Sequence, residues 1–73
     1  MNIEKTLKLL GKNVRYYREK ANMTIEELSV KSKIRKEYIV KIENGKAVGM
    51  PLFYIFRLSY GLKIKPHILC EGI

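Results

Sequence analysis

KSKIRKEYIVKIENGK, residues 31–46, is the stretch that decides the fold of this chain. It holds six Lys/Arg and two Glu, yet Ile34, Ile39 and Ile42 recur through it at helical spacing. With the isoleucines turned inward, Arg35, Lys36, Glu37, Val40, Lys41 and Asn44 are forced outward and Tyr38 falls on the border. The spacing predicts a helix from about Arg35 to Asn44, closed by Gly45 in the left-handed conformation that glycine adopts without penalty. Lys36, Glu37 and Lys41 share one face near the N-terminal end. That is the part of a helix that meets base edges when it docks in the DNA major groove. Long cationic side chains reach guanine acceptors there, and a glutamate accepts from cytosine N4.

Working upstream, TIEEL (residues 24–28) opens a second helix. Thr24 can cap the backbone N–H three residues on while Glu27 reaches back to the N–H of Thr24, a capping box. Glu26 and Glu27 also favour the positive end of the helix dipole. Ile25, Leu28 and Ser32 share a face, with small Ser29 beside it. Only Ser32 to Ile34 separate this helix from the next, so two short helices must cross steeply, and a helix-turn-helix is expected over about residues 24–45. Before it, Ile3, Leu7, Leu10, Val14, Tyr17 and Ala21 follow steps of four and three. This is one face of a longer helix, with Asn2 as its N-cap and Asn22 as its left-handed stop. After it, a fourth helix is expected from near Pro51, placed at a first helical position, to about Tyr60, with Leu52, Ile55, Leu58, Ser59 and Leu62 facing the core. A short fifth starts at Pro66. No β-type alternation is sustained, so the expected fold class is all-α, five helices in a single domain spanning residues 1–73.

Composition narrows the function. Seventy-three residues of 8.6 kDa bury a small core. Fifteen Lys/Arg against seven Asp/Glu leave a formal charge of +8, which favours polyanionic partners. Cys70 is the only thiol and fits a reducing compartment. No signal peptide or membrane span is legible, so a cytoplasmic location is expected, with no membrane partner. His67 has no Cys or acidic cluster at ligand spacing, so no metal is expected. Ser29, Ser32 and Ser59 lack any His/Asp arrangement, and no Gly-rich phosphate loop follows a strand. No enzymatic activity and no cofactor are therefore expected.

The run LGKNVRYYREKANMTIEELSVKSKIRKEYIVKIENGK resembles the helix-turn-helix domain of the phage Cro/repressor-like group of bacterial and phage regulators. The matching positions are Arg18, Thr24 with Glu26 and Glu27, Ser29, Ile34, and Glu43 with Gly45; SYGLKIKP continues the likeness more loosely, to about residue 69. The resemblance implies a compact lambda-repressor-like DNA-binding domain. It implies a partly buried ion pair between Arg18 and Glu43, base contacts from Arg35, Lys36, Glu37 and Lys41, and phosphate contacts from Thr24, Ile25, Tyr38, Asn44 and Lys46. Three positions depart from the family's pattern. Ile25 stands where Gln is frequent, so a phosphate contact there falls to backbone N–H. Lys33 replaces a frequent turn glycine, at on the order of 1 kcal/mol for a left-handed residue, and Arg35 replaces a Ser/Thr cap, at about 1 kcal/mol. AVGM (residues 47–50) is apolar where relatives often carry basic residues, which weakens the phosphate clamp on that side.

Phe53, Tyr54, Phe56 and Tyr60 crowd the fourth helix beyond what one buried face needs. They cover the edge of the core, or they form a self-association surface with Phe53, Tyr60, Ile68 and Leu69 from both protomers. A two-fold dimer would set two recognition helices about one DNA turn apart, ~34 Å. The expected function is thus a sequence-specific double-stranded DNA-binding transcriptional regulator, a repressor acting as a homodimer on an inverted-repeat operator, with no ligand-sensing domain. Its rivals are a protein-interaction module, such as an antitoxin or anti-repressor component, and a nonspecific nucleic-acid or membrane-surface binder.

Overall fold

The computed structural model describes residues 2–73 and contains five helices in the order α1 (Ile3–Lys20), α2 (Ile25–Ser32), α3 (Lys36–Glu43), α4 (Phe53–Leu62) and α5 (Pro66–Leu69), with no strand among the described residues. The core gathers Val14 from α1, Leu28 from α2, Ile39 and Ile42 from α3, Leu58 from α4 and Leu69 from α5. Ile34, in the turn between α2 and α3, is equally buried. Cutting any of these leucines or isoleucines back to alanine removes about 2–5 kcal/mol, a large share of a small domain's stability.

Each helix end has a local cause. Asn2 Oδ1 accepts from the N–H groups of Glu4 and Lys5, starting α1. At its other end the Met23 N–H reaches the Arg18 carbonyl while Asn22 takes a left-handed φ of 55°. The capping box of α2 is complete: Glu27 N–H donates to Thr24 Oγ1 at 3.0 Å, and Thr24 N–H donates to Glu27 Oε1 at 2.9 Å. Lys33 ends α2 at φ 58°. Gly45 ends α3 at φ 72°, with Lys46 N–H on the Lys41 carbonyl and Gly45 N–H on the Ile42 carbonyl. Arg35 precedes α3 without any side-chain cap.

The backbone bond from Thr24, then its hydroxyl, hold the Glu27 carboxyl below its ordinary value. A carboxyl lowered in this way contributes its stability above its unfolded pKa of about 4.3 and loses it as pH falls through the lower folded value. Thr24→Ala is expected to cost about 1 kcal/mol at neutral pH. In Glu27→Gln the part of the acid-induced loss that develops below about pH 4.3 should shrink, as followed by helical circular dichroism under mild denaturant. An unchanged acid limb in Glu27→Gln would exclude this account.

Five expectations are corrected. Helix α4 starts at Phe53, because a tight turn, Tyr54 N–H to Pro51 carbonyl and Ile55 N–H to Leu52 carbonyl, keeps Pro51 outside it. Leu52, expected in the core, is 75% exposed, because it falls on the outward side of that turn. Ile3 is also exposed, and Ala21 lies past the last turn of α1 as its exposed cap. Leu69, expected at a dimer surface, is fully buried, since α5 packs against both α1 and α4 and turns this side chain into the space between them.

Candidate nucleic-acid interface

The isoleucines of residues 31–46 fix the orientation of α3. Ile39 and Ile42 lie inside, and Lys36, Glu37, Val40, Lys41 and Asn44 are left facing solvent on one continuous side. Tyr38 sits half-buried at the edge, its ring 5.3 Å from that of Tyr54 in an edge-to-face pair that ties the helix flank to α4. Arg35 projects from the first turn beside Glu37, Tyr38 and Lys41, with which it borders a shallow open groove.

Three ion pairs, two of them sharing Glu43, brace this helix. Arg18 grips Glu43 with both arms, Nε to Oε2 at 2.7 Å and Nη2 to Oε1 at 3.1 Å, and its Nη1 donates to the Met23 carbonyl at 2.9 Å. The Glu43 side chain is only 1% exposed. Its hydrogen bonds, opposed by burial and aided by its charge, raise the Arg18 pKa above the ordinary value. Arg15 joins from one turn earlier, Nε to Glu43 Oε1 at 3.4 Å, a contact that sequence reasoning did not anticipate. At the other end Lys36 Nζ lies 3.5 Å from Glu26 Oε2. Both partners are largely exposed, so that pair is worth at most about 1 kcal/mol and leaves Lys36 free to reorient.

Apart from Tyr38 on the flank, the residues read as phosphate contacts stand at the two ends of this surface. Thr24 and half-buried Ile25 begin α2. The N–H of Thr24 is taken by Glu27, whereas the N–H groups of Ile25 and Glu26, in the first turn, have no intrahelical acceptor and can meet an anion. Asn44 and Lys46 emerge at the other end, both exposed, and the turn at Gly45 sets their direction.

The structure also holds a close approach that periodicity could not reveal. Gly11, in the middle of α1, lies directly under the last turn of α3, where a methyl group would fall 2.7 Å from the Glu43 carbonyl oxygen and closer still to that of Ile42. The absence of a side chain lets α1 and α3 touch through their backbones. Among the described residues, no cluster of three or more His, Cys, Asp or Glu is placed to hold a metal ion, and no helix is long and apolar enough to cross a membrane.

An anchored helix with a cationic outer face, preceded by a capped helix and a three-residue turn, defines a class. The chain belongs to the helix-turn-helix domain family, whose model matches residues 11–60, and it is a DNA-binding regulator of the Cro/repressor type. Among solved structures it is similar to the restriction-modification controller protein C.AhdI from Aeromonas hydrophila, with 27% sequence identity and a TM-score of 0.81 over 86% of this chain and 94% of that one. No curated protein matches the chain.

Proposed function

We propose that this protein is a sequence-specific reader of double-stranded DNA that binds as a homodimer to an inverted repeat and represses by occupying a promoter. The observation that carries the reading is the outer face of α3: Lys36, Glu37 and Lys41 project together from a helix held by Ile39, Ile42 and the Arg18–Glu43 pair. A helix whose base-reading side chains flex but whose axis does not is what base discrimination requires. Arg35, Lys36, Glu37 and Lys41 read bases. Thr24, Ile25, Tyr38, Asn44 and Lys46 sit where the backbone of the groove passes. Support for a regulatory role comes also from the likeness to a controller protein over nearly that protein's whole length.

The dimer reading rests on the outer side of α4. Leu52, Phe53, Phe56 and Tyr60 form an exposed stripe there, with Tyr60 at 81%. Half-buried Ile68 lies on α5 and Leu69 takes no part. The same stripe is what the rival reading, a module that docks a different protein, would use.

Selection of bound duplexes from a random library at near-physiological salt tests the proposal. An enriched inverted repeat is expected. On that sequence Lys41→Ala should cost about 1–3 kcal/mol and relax preference at particular positions, whereas Lys46→Ala should weaken all sequences alike. Binding without enrichment would remove base reading, and enrichment of a single half-site would remove the dimer.

A further inference from the structure

The apolar segment Ala47–Met50 offers no charge to the phosphate backbone beyond Lys46, and Ala47 is itself buried in the core. The structure brings a cation from a different element to the turn that precedes this segment. Gly45 is held against α1 so closely that a methyl group on it would lie 2.8 Å from Lys8 Cγ and 2.9 Å from Lys8 Cα. The Lys8 side chain therefore emerges next to the turn that carries Asn44 and Lys46. One and two turns further along α1 come Lys12 and Arg15, at steps of four and three that keep all three on the solvent-facing flank bordering α3. Among the described residues no carboxylate pairs with Lys8 or Lys12. Arg15 touches Glu43 at 3.4 Å, but Arg18 already neutralises that carboxylate with two shorter bonds, so the group as a whole keeps one excess positive charge and Arg15 is 52% exposed. The acids of the same helix, Glu4 and Glu19, lie at its ends.

We propose that Lys8, Lys12 and Arg15 on α1 form a second phosphate-binding surface that follows the DNA backbone past the C-terminal end of the recognition helix. This inference rests on the reading of α3 as the element in the groove. It adds affinity without sequence preference and lengthens the footprint on the side where Ala47–Met50 carries no cation. Two groups on one flank, four residues or about 6 Å apart along a helix, are spaced to meet neighbouring phosphates of one strand.

The test is the salt dependence of binding to a selected duplex and to an unrelated one, for the full chain and for Lys8→Gln/Lys12→Gln. Neither lysine has an ion-pair partner, so melting temperature should be unchanged. Each lost phosphate contact lowers the log–log salt slope by about 0.9. The affinity loss between 50 and 200 mM salt, conditions set by the experimenter, should shrink by about twelve-fold for the pair on both duplexes. Two reference variants separate the possible failures. Lys46→Gln should lower the slope by one contact, and Lys31→Gln/Lys63→Gln, an equal loss of charge in the groove between α2 and α4, should leave it unchanged. An unaltered slope in the α1 variant beside a lowered one in Lys46→Gln would overturn the α1 surface and leave the reading of α3 intact. Equal falls in the α1 and the α2/α4 variants would reduce the effect to net charge and overturn it as well. No change in any variant would overturn the α1 surface together with the phosphate role of Lys46, whereas no binding to either duplex would take down the reading of α3 and this inference with it.

Discussion

Arg18→Ala is expected to remove about 3–5 kcal/mol of folding stability, as measured by urea denaturation. A chain of 73 residues holds about 4–11 kcal/mol in total, so the variant would retain little. The magnitude follows from what is left behind. Glu43 is 1% exposed, and without Arg18 it keeps only the 3.4 Å contact from Arg15, while the Met23 carbonyl loses its donor. A carboxylate stranded out of water costs far more than the pair contributed when intact. Glu43→Gln should be milder, on the order of 1–3 kcal/mol, because the amide keeps an acceptor for Arg18 and no anion remains in the core. The Arg18 pKa is raised, so the arginine side of this stability is fully present below the ordinary arginine value and is lost only as pH rises above it, beyond any usual working condition. A loss under about 1 kcal/mol for Arg18→Ala would mean that Arg15 swings in to replace it, turning an accessory contact into a genuine substitute.

Gly11→Ala carries the second large effect, and its sign is a contest between two magnitudes. In a helix interior alanine is favoured over glycine by about 1 kcal/mol. Against that, the added methyl would meet the carbonyl oxygens of Ile42 and Glu43 and lie 2.9 Å from the Glu43 carbonyl carbon. All three are backbone atoms of α3, which cannot rotate aside as a side chain can. Overpacking of this kind costs about 1–3 kcal/mol and occasionally more, and here it also pushes Glu43 away from Arg18. Net destabilisation of roughly 2 kcal/mol or more is expected, and DNA affinity should fall further than stability alone explains, because α3 itself is displaced. A double-mutant cycle with Arg18→Ala should show coupling, since both changes act on the same last turn. A Gly11→Ala protein as stable as the parent would show that the helices can separate without cost.

The two predictions concern residues of different legibility. Arg18 and Glu43 could be paired in advance because their spacing matches a family pattern, but nothing in the order of residues signals that Gly11 is the point of closest approach. Nor did it signal that Lys36 would meet Glu26, or that Arg15 would share Glu43. These contacts join residues 10 or more positions apart, and they depend on how two helices are rotated about their own axes. The start of α4 and the end of α5 fared similarly. A stripe of apolar residues predicts that one side of a helix is buried, yet Leu52 and Leu69 were both assigned to the wrong side because each lies where a helix begins or ends and the period is least defined.

What the sequence determined by itself is whatever depends on neighbours within a turn or two. Asn2 and Thr24 start helices, Asn22 and Gly45 stop them in left-handed conformations, and the isoleucines of residues 31–46 choose which face of α3 turns outward. Backbone geometry and side-chain hydrogen bonding settle such features over a few ångströms, whatever the rest of the chain does. Beyond the Arg18–Glu43 pair that the resemblance implied, only the tertiary structure decided which distant cations and carboxylates neutralise one another, and which remain free beside α3. Lys8 became a neighbour of Gly45 because Gly11 lets α1 press against α3. Charges act through space, and their positions were fixed only once the apolar faces of all five helices had been packed together.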